Sequence, residues 1–294
     1  MLEEIEEGIW SWKTGVSGPS VCIAFGTHGD ERAPIEAGLA LAARLRSGED
    51  RPACGTLLLI HSNPRATAEG RRWSEGGIDL NRCYHPDVLA REPRMYEEGR
   101  ARRIVAALEA ADTRILVDFH CTAEPGRPFL MQHPPASEPH HGEIAELLRA
   151  DVLLTDPGLN FGGVSLDEWM SGRGRVGICY ETGWIGDPAN TPEVLLDEMR
   201  NVLVGTGMLV GDADSNPKKW RLELDGVVLC DGDGFRWRDG LGVNLQELDT
   251  GTVLGVYADG REVALERDAT LIFPKKKPEL VQRGNPLVYL ARKL

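Results

Sequence analysis

A chain of 294 residues carrying 33 Lys and Arg against 46 Asp and Glu has a formal charge of −13, which excludes general binding to nucleic acid or to an anionic membrane, since both call for a basic face. Its 41% hydrophobic and 27% charged residues exclude disordered and fibrous classes and leave enough apolar side chain for a sizeable core. Six cysteines without a C-x-x-C pair exclude a disulfide framework in a chain this long, and several fall in apolar runs, where free cysteine packs as a small hydrophobe.

In chain order, residues 1–7 are acidic and lack the basic start and apolar core of a signal peptide. No apolar run approaches about 18 residues, so no membrane span is expected, and the expected setting is soluble, reducing and cytoplasmic. From residue 19 to 208 short apolar runs alternate with amphipathic stretches. Residues 21–25, 56–61, 115–120, 129–132, 152–154 and 176–181 read as strands. Residues 33–47, 95–111, 141–150 and 191–207 read as helices, the last opened by Thr191 as N-cap, Pro192 at the first position and Glu193 in the first turn. This alternation predicts an α/β fold with a mixed, mostly parallel sheet flanked by helices. The polar segment 211–217 reads as a linker. Beyond it, Gly- and Asp-punctuated runs at 221–224, 227–230, 235–238, 252–257, 262–265, 270–273 and 287–291 predict a smaller C-terminal all-β domain. The expected division is a larger α/β domain over 1–210 and a β domain over 211–294.

The first strand ends in Gly26-Thr27-His28-Gly29-Asp30-Glu31-Arg32. A histidine and a carboxylate three apart at a strand mouth can hold one metal ion from neighbouring positions. Zinc accepts imidazole nitrogen and carboxylate oxygen, and its catalytic sites use three protein ligands while leaving the fourth position open. His120 closes the run 115–120 and supplies a third ligand, so His28, Glu31 and His120 form a two-histidine, one-carboxylate set. A lone His-x-x-Glu arises often by chance. The weight here comes from context, because both fragments follow apolar strands, where open α/β sheets place their ligands.

Asp118 lies two before His120, faces the same way along a strand and is placed to orient that imidazole; Asp79 is a weaker candidate for the same task. Glu181 ends the run 176–181 between Tyr180 and Trp184. Partial desolvation there would raise its pKa towards the range useful for taking and returning a proton. Arg65, in His61-Ser62-Asn63-Pro64-Arg65, follows another strand where a guanidinium can stabilise a developing oxyanion. In Ile78-Asp79-Leu80-Asn81-Arg82, Asn81 and Arg82 pair an amide with a guanidinium, a clamp for a substrate carboxylate. Arg100, Arg102 and Arg103 are expected on a solvated helix face. His61, His85, His133, His140 and His141 read as surface or core histidines, with His85 nearest the pocket. Cys121 adjoins His120 and points to the opposite strand face, which opposes a cysteine nucleophile using His120 as base.

The fragments His28-Gly29-Asp30-Glu31, Asn63-Pro64-Arg65, Asp79-Leu80-Asn81-Arg82, Asp118-Phe119-His120 and Tyr180-Glu181-Thr182-Gly183, in this order and with these separations, resemble the succinylglutamate desuccinylase/aspartoacylase family, relatives of the zinc carboxypeptidases. The match spans about residues 20–210, and the β-rich tail is similar in texture to that family's carboxy-terminal domain. The resemblance implies one zinc ion on His28, Glu31 and His120, with Glu181 as catalytic base and proton shuttle. It implies Arg65 near the scissile carbonyl, and Asn81 with Arg82 on the carboxylate of the amino-acid part. It also implies an arginine shortly before the catalytic glutamate for a second substrate carboxylate, and Arg173 and Arg175 lie in that region. The chain departs from the pattern at Asp30, where Asn is common, and at Tyr257 and Tyr289, neither of which sits in a matching motif.

The resulting expectation is a zinc-dependent hydrolase cleaving the amide bond of a small anionic N-acyl amino acid, with no nucleic-acid or membrane partner and a homo-oligomer allowed. Two alternatives stay open. One is a zinc carboxypeptidase acting on small peptides through the same site; the other is a metal-free binding protein with a degenerate site.

Overall fold

A computed structural model describes residues 1–134, 141–159, 163–278 and 280–294; His140 lies outside them. The first half runs β1 (Glu3–Glu6), β2 (Ile9–Lys13), β3 (Ser20–Phe25), α1 (Arg32–Ser47), β4 (Thr56–His61), α2 (Pro64–Glu69), α3 (Pro86–Ala90), α4 (Tyr96–Ala110) and β5 (Ile115–Thr122). It continues through β6 (Phe129–Gln132), α5 (His141–Glu146), β7 (Val152–Thr155), α6 (Leu166–Ser171), β8 (Val176–Trp184) and α7 (Pro192–Gly205). Strands follow: β9 (Trp220–Leu229), β10 (Arg236–Trp237), β11 (Glu247–Leu248), β12 (Val253–Val256), β13 (Glu262–Ala264), β14 (Ala269–Ile272) and β15 (Pro286–Lys293).

Twelve of these strands share one mixed sheet in the order β1-β2-β4-β3-β5-β8-β6-β7-β9-β15-β14-β11. Its centre, β4-β3-β5-β8, is wholly parallel, which explains the near-continuous apolar runs: a parallel sheet is covered on both faces. Side chains alternate across it. Val21, Ile23, Phe25, Val117 and Phe119 pack with Leu41 and Leu45 of α1 and Met199 and Val202 of α7, whereas Cys22, Ala24 and Leu116 pack with Ile104 and Leu108 of α4 and with Trp169 and Met170 of α6.

The chain leaves β3 for β4 on one side and reaches β5 on the other. That reversal opens a crevice at the carboxyl ends of β3 and β5, the place where open α/β sheets bind ligands.

The sequence reading began at residue 19 and overlooked the β1–β2 hairpin. All four residues of β1 are exposed and Ile9 and Trp10 are the only buried apolar residues of β2, beside the buried Ser11, so the hairpin leaves little apolar pattern, and the acidic edge discourages further pairing. Thr191 caps α7 through its side chain, as its position suggested, and Pro192 opens the helix. The stretches expected at 221–224 and 227–230 form one strand, β9, irregular opposite Leu290 and Ala291. β9 pairs parallel with β7, and β15, β14 and β11 extend the same sheet, while β10, β12 and β13 form a small second sheet. Among the described residues no helix is long and apolar enough to cross a membrane.

Candidate active site

His28 and Glu31 occupy the turn between β3 and α1. Gly26 opens that turn at φ +68°, a left-handed conformation that costs glycine nothing. Gly29 lets it lie against α2, since a Cβ there would stand 2.1 Å from the Ala66 carbonyl carbon. His120 lies near the end of β5. These three side chains are buried, and one ligand atom from each lies within 4.8 Å of the others.

Their orientation is specific. His28 Nδ1 is 2.6 Å from one Glu31 oxygen and His120 Nδ1 is 3.2 Å from the other. Each imidazole turns its Nε2 to another carboxylate, His28 to Asp79 at 3.1 Å and His120 to Asp118 at 2.9 Å. An Nε2–H donated to a carboxylate leaves a lone pair at Nδ1. Two such lone pairs aimed at one buried carboxylate are mutually repulsive unless a cation, a proton or a metal ion, lies among them. Against burial and the nearby Arg72, Glu31 and Asp79 raise the His28 pKa; against burial, Asp118 and Glu31 raise that of His120 well above its ordinary value. The donor set therefore fits a divalent cation, held by imidazoles whose far nitrogens are fixed by carboxylates.

Glu181 is the register partner of His120 on neighbouring parallel strands, so both side chains leave the same sheet face. Its carboxyl group is buried and one oxygen has no hydrogen-bond partner. Burial pushes its pKa up to about 7 against the pull of His120. Cys121 points the other way, where Asn190 donates to its sulfur at 3.2 Å, and burial pushes the thiol far above its ordinary range.

The remaining residues divide. Asn81 sits behind the ligands: its Nδ2 is 3.4 Å from His120 Nε2, and its Oδ1 accepts from the Leu166 backbone. Arg82 is half-buried and donates to the Asn81 carbonyl at 2.8 Å; among the described residues no carboxylate pairs with it. Arg65 is exposed on α2, 3.3 Å from Glu69 and over the Tyr96 ring, so its side chain is not brought to the three ligands.

The guanidinium that reaches them is Arg72. Gly70 ends α2 in a left-handed turn and returns the chain so that the Arg72 carbonyl accepts from Gly29 at 3.3 Å. The Arg72 side chain lies 3.3 Å from Asp79 and 3.9 Å from Glu31. None of the sequence motifs contains Arg72. The available signal was its position seven residues before Asp79, with a loop between them.

Arg173 and Arg175 precede Val176, the first residue of β8, and stand at the end of the strand remote from Glu181, roughly 20 Å away at 3.3 Å per residue. Arg173 covers the Trp169 ring and pairs with Glu109, and Arg175 pairs with Asp112, so neither joins the site.

One other expectation changes, at Arg100, while His85 and His61 take structural roles of the kind expected of surface and core histidines. Arg100 is fully buried and donates to the His61 and Ser62 carbonyls at 2.8 Å; it satisfies the end of β4 instead of facing solvent. His85 caps α3 by accepting from the Asp87 amide. His61 stacks on Phe25 and is pulled down to about 4 by burial and by Arg100.

Residues 17–151 match the model of the succinylglutamate desuccinylase/aspartoacylase catalytic domain, and a succinylglutamate desuccinylase of Pseudomonas paraeruginosa is 28% identical over 94% of this chain and 86% of its own length. The chain is similar to the succinylglutamate desuccinylase/aspartoacylase family. Solved structures share the fold. A succinylglutamate desuccinylase from Vibrio parahaemolyticus superposes with a TM-score of 0.78 at 17% identity, covering 100% of this chain and 88% of that one. Murine aminoacylase 3 does so with a TM-score of 0.72 at 18% identity, covering 95% and 96%. The desuccinylase/aspartoacylase family members named here are hydrolytic enzymes, and the domain-model match holds the strands and turns that carry His28, Glu31 and His120.

Proposed function

We propose that this protein is a zinc-dependent amidohydrolase that cleaves the amide bond of an N-acyl amino acid. The observation that carries the reading is the convergence of His28 Nδ1, Glu31 and His120 Nδ1, with a buried Glu181 carboxyl beside them whose one oxygen has no hydrogen-bond partner. His28, Glu31 and His120 would hold the ion, their two nitrogens and one carboxylate being a donor set that suits zinc. A bound zinc ion supplies Lewis acidity for a carbonyl oxygen and acidifies water.

The chain's own groups supply the rest. Glu181, with a pKa near 7, takes a proton from an attacking water and returns it to the departing amine nitrogen. Asp79 and Asp118 hold the two imidazoles in the tautomer that leaves Nδ1 free. Arg72, its side chain 38% exposed at the edge of the ligand group, has donors left to meet the negative charge that develops on the carbonyl oxygen. Arg82, without an acidic partner among the described residues, meets a carboxylate of the amino-acid part. Asn81 positions the start of α6 by accepting from the Leu166 amide.

The test is a panel of N-acyl amino acids and short peptides offered to zinc-loaded protein. Release of free amine from N-acyl amino acids is expected, with peptides cleaved more slowly. No release from any N-acyl amino acid, in protein holding one zinc per chain, would overturn the reading.

A further inference from the structure

The nine residues 71–79, between the end of α2 and the short helical turn Leu80–Arg82, carry both Arg72 and Asp79 yet form no helix or strand. Ser74 is the one buried residue among them, so no fully buried apolar side chain seats the segment. It doubles back where the Gly77 amide donates to the Ser74 carbonyl at 2.9 Å. That turn is folded around a single side chain, Glu97, in the first turn of α4.

Glu97 is fully buried and receives four hydrogen bonds, all from neutral donors. Its Oε1 accepts from the Ser74 amide at 3.0 Å, the Ser74 hydroxyl at 2.6 Å and Asn63 Nδ2 at 3.4 Å, and its Oε2 accepts from the Ile78 amide at 3.4 Å. The carboxyl group lies so close to the turn that a Cβ on Gly77 would stand 2.4 Å from Oε2. Among the described residues no cation pairs with Glu97. The Ser74 and Ile78 amides and Asn63 Nδ2 can only donate, so the place is built for an acceptor with two oxygens, and a carboxyl group removed from water persists there because donors surround it.

The three anchoring points adjoin the groups that reach the metal ligands. Ser74 is two residues after Arg72, whose carbonyl accepts from Gly29 and whose side chain stands 3.3 Å from Asp79 and 3.9 Å from Glu31. Ile78 precedes Asp79, which faces His28 Nε2 at 3.1 Å. Asn63 caps α2 by accepting from the Ala66 amide, and its own amide donates to the Gly26 carbonyl at 3.0 Å, at the head of the turn that holds His28. Asn63 belongs to a motif whose arginine, Arg65, turns away from the ligands; its contact with Glu97 gives that motif a different use.

We propose that Glu97 is a positioning residue. Through Ser74 and Ile78 it sets the reach of Arg72 and Asp79 to the metal ligands, and through Asn63 it ties their segment to the turn carrying His28. This rests on the zinc-hydrolase reading above. Glu97→Gln keeps the side-chain volume and one acceptor oxygen but turns its NH2 group onto a donor at one end, so it loosens the segment without emptying the space.

Two measurements test this: zinc affinity, read by competition with a chromophoric chelator, and hydrogen–deuterium exchange of the zinc-free protein. Glu97→Gln is expected to weaken zinc binding about tenfold, the scale of losing a partner that orients a ligand. In an Asp79→Asn background the same substitution should cost about threefold or less, because the group it acts through has already been disabled. In zinc-free protein, peptides covering 71–79 should exchange about fivefold faster in Glu97→Gln, with β3 and β5 unchanged. Ser74→Ala, which removes the 2.6 Å hydroxyl contact, should move both readouts the same way and replaces Glu97→Gln should that variant fail to fold. No loss of zinc affinity, an equal loss in both backgrounds, or unchanged exchange over 71–79 overturns the proposal. A parent protein that binds no zinc counts against the hydrolase reading, and the exchange result then decides by itself whether Glu97 fixes the segment.

Discussion

Glu181 is a carboxyl group that almost nothing in the protein holds. Its nearest polar contact is the Cys179 sulfur at 4.0 Å, and burial, helped by the Glu31 carboxylate, lifts its pKa to about 7 against the pull of His120. A base works only when ionised, so kcat/KM should climb with pH to a plateau. The midpoint should lie no higher than about 7, because a cation on the neighbouring ligands favours the carboxylate. Glu181→Gln should retain zinc, lose that titration and lower kcat by at least ~100-fold; a variant with an unchanged pH profile would remove Glu181 from the proton path. The arginines give a second contrast. Arg72→Met should lower kcat by about 100-fold, the scale of losing one donor to a developing oxyanion. Arg65→Met removes an exposed pair with Glu69 and a contact over the Tyr96 ring, the ion pair being worth about 0–1 kcal/mol of stability, and turnover should stay within about threefold. The opposite ranking would restore Arg65 to the chemistry. At this scale the ligands and Glu181 were legible because each stands at the end of an apolar strand. Arg72 was not, since the turn at Gly70 delivers it, and that turn leaves no periodic trace.

At the scale of elements, the parallel strands announced themselves because both of their faces are buried, and α7 because its cap residues stand in order. Short elements such as α2 and α6 carry too few residues for a period to show, yet α6 contributes a further buried charge. His133, just after β6, lies 3.0 Å from Asp167 in the first turn of α6, and both are buried. Against burial, Asp167 raises the His133 pKa to about 9. A raised pKa means that the folded state holds the proton more tightly than the unfolded chain. The pair's stabilisation is then fully present below the ordinary histidine value near 6.5 and is lost as pH rises through about 9. Denaturant unfolding at pH 6 and pH 10 should show this decline in the parent protein and a smaller one in His133→Gln. At pH 6 the variant should be about 3–5 kcal/mol less stable, the usual cost of stranding one partner of a buried pair. Parallel pH dependence in the two proteins would show that the pair does not titrate in this way.

For the molecule as a whole, the sequence located a change of texture near residue 211, and the structure shows that one sheet runs through it, because β9 pairs with β7 while β15 pairs with β9. No local pattern in a sequence reports which strands from distant segments will pair, so this continuity was not legible. It has an energetic consequence for the metal. The ligands come from the loop after β3 and from β5, and Asp79, which orients His28, comes from the segment before α3; a bound ion would tie these parts together at the centre of the sheet. Unfolding scatters the same groups, so the ion should bind the native state alone and add about 2.7 kcal/mol at a free concentration one hundred times its dissociation constant. For a chain of this size that corresponds to a rise of about 5 °C in Tm. A strong chelator should therefore lower the Tm of the parent protein by about that amount, and restoring zinc should recover it. His120→Ala, which removes one ligand and leaves Asp118 without its imidazole, should start from a lower Tm and respond to neither treatment. Equal midpoints for the parent protein with and without chelator, in a preparation that carries zinc beforehand, would show that His28, Glu31 and His120 do not hold the ion.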